Sequence, residues 1–254
     1  MSYQVTRKQE RILVLGALVA LAMISWGYTI HLGLQHQSMA GTMAMPAMTY
    51  WSTADALFMF IMWAVMMFAM MLPSVTPTVL IFGRVREKRE AAGRIFAPTG
   101  AFVAGYLFVW VGFSLIATLT NWSMHTGGMM SSMMGKVSAQ TGGVLLIAAG
   151  LFQWTRLKNA CLEHCRSPMS FLMQHWREGS GGAALMGAHH GIYCLGCCWL
   201  LMLLLFTLGV MNLAWVAALT ILVLVEKVIP RGEVLGRGLG VLFVGWGAWM
   251  IVAG

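Results

Sequence analysis

The chain has 254 residues, 59% of them hydrophobic and only 9% charged, against roughly 25% charged in an average soluble domain. So few charges exclude a soluble fold of this size, and the net charge of +8 forms no basic stripe of the kind that engages nucleic acid. Mostly apolar stretches of about 20 residues recur along the chain, so the lipid bilayer is its expected partner and solvent.

The first predicted span covers 12–34, after Arg7, Lys8 and Arg11. Its apolar run exceeds the roughly 7 to 15 residues of a signal peptide and no A-x-A site follows, so it reads as a retained helix. The second covers 53–82 and ends in Pro73-Ser74-Val75-Thr76-Pro77, where two missing backbone donors predict a kink or a stop. Spans at 98–120 and 140–155 follow. The connection from Leu157 to Gly182 carries a predicted surface helix over Ser170–Arg177, and Gly179, Gly181 and Gly182 predict a flexible lead into the fifth span, 183–208. The last two spans are 212–229 and 238–254.

Lysine and arginine accumulate on the cytoplasmic side of a membrane. With seven spans and a cytoplasmic N-terminus, every basic residue except Lys136 falls on that side. The predicted fold class is therefore all-α: one polytopic transmembrane helix bundle of about seven spans over 1–254. Its C-terminus is outside, and its expected location is a bacterial inner membrane.

The fifth span holds His189, His190, Cys194, Cys197 and Cys198 within ten residues (HHGIYCLGCC). At about 100° per residue, His190, Cys194 and Cys197 occupy one helical face. Thiolate and imidazole suit Cu(I) or Zn(II) and poorly suit magnesium or calcium. Each cysteine taken alone is an ordinary packing residue, but two histidines and three cysteines on one membrane helix point to metal or redox chemistry. A second set, Cys161, His164 and Cys165 (CLEHCRSP), lies in the preceding connection. If the fourth helix continues through it, the two cysteines share a face. Spacing leaves open whether the two sets form one site or two, and reduced, inert thiols are the plain alternative. His175, in the predicted surface helix, is not expected to be a ligand.

The outer loops differ. One carries His36, Met39, Met43, Met45 and Met48, the other His125, Met129, Met130, Met133 and Met134. Clustered thioethers suit Cu(I), although such loops also serve as gap-filling apolar surface. Asp55, Met59, Met62, Met66 and Met70 keep one stripe of the second span, read either as a conduction path or as a packing face. Glu226 beside Lys227 reads as a snorkelling interfacial pair.

No G-x-S-x-G, H-E-x-x-H or G-x-x-x-x-G-K-[ST] motif occurs, so common hydrolase chemistry and ATP-driven pumping find no support. From about residue 50 to the end, the runs MWAVMMFAMMLPSVTP, C-x-x-x-C-R-S-P and C-L-G-C-C-W resemble a bacterial domain-of-unknown-function family described as predicted metal-binding integral membrane proteins. The resemblance implies metal binding and leaves metal and direction open. The expectation is a copper handler, with zinc as the alternative metal, that transports or retains the ion or delivers it to a cuproprotein or metallochaperone partner. A membrane copper or thiol redox enzyme is the second reading, and an assembly subunit whose cysteines only pack is the third.

Overall fold

The computed structural model describes residues 2–40, 52–93, 97–127, 137–229 and 232–253. Among these the architecture is helical: α1 (Ser2–Ala40), α2 (Thr53–Ala91), α3 (Thr99–Thr126), α4 (Ala139–Phe152), α5 (Arg156–Arg166), α6 (Pro168–His175), α7 (Gly179–Leu208), α8 (Leu213–Val228) and α9 (Gly232–Ala253). Five helices, α1 over Ile12–Gln35 with α2, α3, α7 and α9, are long and apolar enough to cross a membrane. The 14-residue α4 and 16-residue α8 rise only about 21 and 24 Å at 1.5 Å per residue, less than a hydrocarbon core of about 30 Å. Five of the seven expected spans thus meet the requirement by themselves. Large apolar side chains face outward on all five, among them Leu13, Ile61, Phe108 (75% exposed), Leu185 and Val252 (88% exposed). In water such faces would aggregate; lipid suits them.

Local chemistry explains where the elements depart from expectation. Helix α2 does not stop after its prolines but runs through Pro73 and Pro77 to Ala91. The Ser74 and Thr76 hydroxyls donate to the Met71 and Leu72 carbonyls at 3.0 and 2.8 Å, adding bonds where the prolines remove donors. The charged stretch Arg84–Ala91 is rich in good helix formers that extend it. At its start Ser52 and Asp55 make a reciprocal capping box, which satisfies two otherwise orphaned backbone donors.

The fourth helix does not continue into the first cysteine motif. It ends at Phe152, and the Thr155 hydroxyl caps a new helix by accepting the Lys158 N–H at 3.3 Å. Helix α6 then starts with Pro168 in its first turn, where proline's missing N–H costs nothing. It buries Phe171 and Leu172, so it packs on protein along one side. The glycines from Gly179 onward lie in the first turn of α7, so they do not form a flexible lead.

Close packing fixes α7 at the centre. A Cβ on Gly187 would strike the backbone of Phe102 in α3, and one on Gly105 would strike that of Ala184 in α7. Small residues at these points let the two backbones touch. The α4 and α9 pair uses the same device twice: a Cβ on Gly143 would meet the Gly247 carbonyl at 2.7 Å, and one on Gly150 the Gly240 carbonyl at 2.6 Å.

A buried ion pair ties α5 to α8. Lys158 Nζ donates to both oxygens of Glu226 at 2.8 Å and also contacts Gln153 Oε1. Glu226 and Lys227 are therefore not a snorkelling pair. Both are buried and each takes a partner from another helix, because neither charge can be left alone in low dielectric.

Candidate metal centre

Helices α5 and α7 bring the two cysteine motifs together. Cys165 is in hydrogen-bond contact with both Cys194 and Cys197, and Cys198 contacts the same two sulfurs. All four are buried. The Cys197 and Cys198 thiols donate to the Cys194 carbonyl at 3.0 Å, the bond a thiol at i+3 or i+4 makes back along its own helix. Cys161 is half-buried at the edge. A Cβ on Gly196 would meet its Sγ at 2.7 Å, so the absence of a side chain at Gly196 is what admits it. Burial pushes the Cys161 thiol above its ordinary pKa, with Cys197 adding to the shift. Hydrogen bonding to Cys194 and Cys197 holds the Cys165 thiol higher still.

Three groups that sequence reasoning missed complete the centre. Lys227, 9% exposed, donates from Nζ to Cys194 Sγ at 2.8 Å and to Ser74 Oγ at 3.2 Å. The Tyr106 hydroxyl lies 3.0 Å from Cys194 Sγ. A basic side chain inside an apolar span was a signal available for Lys227; Ser74 and Tyr106 carried none. Ser74 is also the next position, four residues on, of the methionine stripe. Met59, Met62, Met66 and Met70 are all buried, so the stripe is an internal face that ends, through Ser74 and Lys227, at Cys194. Asp55 at its far end is half-buried, and its carboxylate accepts from the Ser52 N–H at 2.9 Å and the Ser52 hydroxyl at 2.7 Å.

The histidines divide. His190, 3% exposed, packs among Phe102, Tyr106 and Phe171, and its Nδ1 has no hydrogen-bond partner among the described residues. It stands one helical turn before Cys194. His189 points elsewhere, toward His175 of α6, with ring centroids 4.8 Å apart at 86°. His164 stacks on Tyr193 at 4.2 Å. His125 lies half-buried in the last turn of α3. His36 falls within α1, but its side chain lies outside the described residues. So do Met39, Met43, Met45, Met48, Met129, Met130, Met133 and Met134.

Among the described residues, no group of three or more His, Cys, Asp or Glu side chains is placed so that it could hold a metal ion as it stands. What the fold supplies is a donor set: four convergent thiols, a buried imidazole with an unpartnered nitrogen, and a cation beside them. This chemistry fits a soft monovalent ion, for which thiolate is the strong ligand.

A family model described as PpoB2, copper chaperone, matches residues 60–250. The chain belongs to the PpoB2 copper chaperone family. The matched stretch contains both cysteine motifs, Lys227 and the stripe from Met62 onward, whereas Asp55 and Met59 precede it. Membership in a copper chaperone family gives the expected metal-binding resemblance a metal. No curated protein and no solved structure matches the chain.

Proposed function

We propose that the protein is a copper carrier of the bacterial inner membrane, holding Cu(I) at Cys165, Cys194, Cys197 and Cys198 with His190 alongside, and passing it to a cuproprotein or metallochaperone partner. The observation that carries this reading is the convergence of two separate cysteine motifs, from α5 and α7, on one buried point beside Lys227. Packing alone gives no reason for four thiols and an ammonium to share a low-dielectric site. Copper is preferred to zinc because the family is one of copper chaperones and because the approach along α2 is made of thioethers, which suit Cu(I) and are weak ligands for zinc. Protein purified after growth with both metals available should carry copper and little zinc by elemental analysis. Stoichiometric zinc with negligible copper would reject the assignment.

The same reading has seven crossings, α4 and α8 completing theirs with flanking residues, and a cytoplasmic N-terminus. That arrangement places Arg84, Arg86, Lys88 and Arg89 on the same side as α5 and α6, as the positive-inside tendency requires. A single cysteine placed between positions 41 and 48, in an otherwise cysteine-free chain, should react with an impermeant maleimide added to intact spheroplasts. One placed at Arg89 should not, and the reverse pattern would invert the topology.

A further inference from the structure

His175 and His189 line a cavity of about 370 Å³ between α6 and α7, with Met186, Gln174 and Arg177 also on its wall. The cavity is distinct from the thiol cluster, and His189 adjoins it through His190, the residue one turn from Cys194. The Nδ1 of His175 lies 3.1 Å from the Phe171 carbonyl. A carbonyl can only accept, so Nδ1 carries a proton, and the tautomer this selects has its lone pair on Nε2. Metal-binding histidines are commonly fixed this way, one nitrogen donating to a backbone carbonyl while the other faces the ion. The perpendicular His175 and His189 rings, 4.8 Å apart at their centres, are close enough for one ion to reach a nitrogen of each at the usual distance of about 2 Å. Met186 adds a thioether, whose sulfur accepts the Arg177 backbone N–H at 3.2 Å.

The scaffold holds α6 in this position. Trp176 stacks on Phe82 of α2 at 5.3 Å, and the Arg89 guanidinium sits 4.7 Å over the Trp176 ring. Phe171 packs against His189, His190 and Tyr193 of α7.

We propose that His175 and His189 form a second, weaker Cu(I) station, at which the ion pauses as it passes between solvent and the thiol cluster. This rests on the copper reading above. Imidazole binds Cu(I) less tightly than thiolate, so the station exchanges its ion readily while the cluster retains it, and Phe171 touches both His189 and His190.

The test uses the full chain in detergent, with Cu(I) supplied under anaerobic conditions against a chromophoric Cu(I) chelator and the copper K-edge spectrum as a second readout. With Cys165, Cys194, Cys197 and Cys198 changed to serine, one Cu(I) should remain with nitrogen-dominated scattering, and adding His175→Gln or His189→Gln should abolish it. In the otherwise wild-type chain, the same glutamine variants should leave sulfur-bound copper in place at equilibrium. They should slow its removal by a hydrophilic chelator by about tenfold or more, the scale on which metal sites respond to loss of one supporting group. Unchanged removal rates in both glutamine variants would overturn the station, as would a nitrogen-bound Cu(I) that survives them. A wild-type chain that binds no Cu(I) would instead reject the copper reading itself.

Discussion

Cys194→Ser is expected to strip the purified protein of copper. Cys194 is the hub of the centre: its sulfur meets Lys227, Tyr106, Cys165 and Cys198, and its carbonyl accepts from the Cys197 and Cys198 thiols. Serine preserves the size and leaves no cavity, but it replaces a soft thiolate by a hydroxyl that does not ionise near neutral pH. Affinity for Cu(I) should fall by about tenfold or more, since even a group that merely supports a ligand is worth that much. Cys197→Ser and His190→Ala should follow the same course. Met62→Leu, which removes one weak thioether among several, should change little, and Cys161→Ser, at the half-buried edge of the cluster, should fall between. The measurement is metal content together with competition against a chromophoric Cu(I) chelator, on variants that elute as the wild type does from a sizing column. Full copper occupancy in both Cys194→Ser and Cys197→Ser would show that the α7 thiols only pack.

Helical spacing carried much of this centre in advance. A period of 3.6 residues puts His190, Cys194 and Cys197 on one face whatever surrounds them, and all three are buried. The same rule placed Cys161 and Cys165 together on their helix. It could not say that α5 would dock on α7 and merge the two sets, since that depends on Gly196 making room for Cys161 and on Lys158 reaching Glu226 across 68 positions of sequence. His189 was grouped with the cysteines because it neighbours His190, but adjacent residues on a helix point about 100° apart, and α6 supplied it with a different partner, His175. The capping role of Asp55 was legible in the Ser-x-x-Asp spacing from Ser52. The stripe of methionines that follows offers a second reading of the same residue. Helix ends differ from expectation where charge and glycine are weighed alone: α2 runs on from 82 to Ala91 and α7 begins at Gly179 instead of 183, because the neighbouring residues and tertiary packing outweigh local propensity.

Lys227→Met is expected to weaken Cu(I) binding more than any change that leaves the sulfurs in place. A monovalent ion held by two thiolates has one net negative charge, and the ammonium 2.8 Å from Cys194 Sγ brings the assembly to neutrality. A divalent ion with the same two thiolates is already neutral, so Lys227 would then be an uncompensated positive charge in a buried site. Removing one partner of a buried charge pair costs about 3 to 5 kcal/mol, and about 1.4 kcal/mol is a factor of ten in affinity. Methionine at 227 should therefore lower Cu(I) affinity by about a hundredfold or more, while zinc affinity stays level or rises. Lys227→Arg, which keeps the charge at similar reach, should retain most of the discrimination, and this separates loss of charge from loss of the packing between α2, α7 and α8. Competition titrations with Cu(I) and Zn(II) on the three proteins read both effects. A methionine variant with wild-type Cu(I) affinity and unchanged preference over zinc would show that Lys227 serves only to bond Ser74 to Cys194.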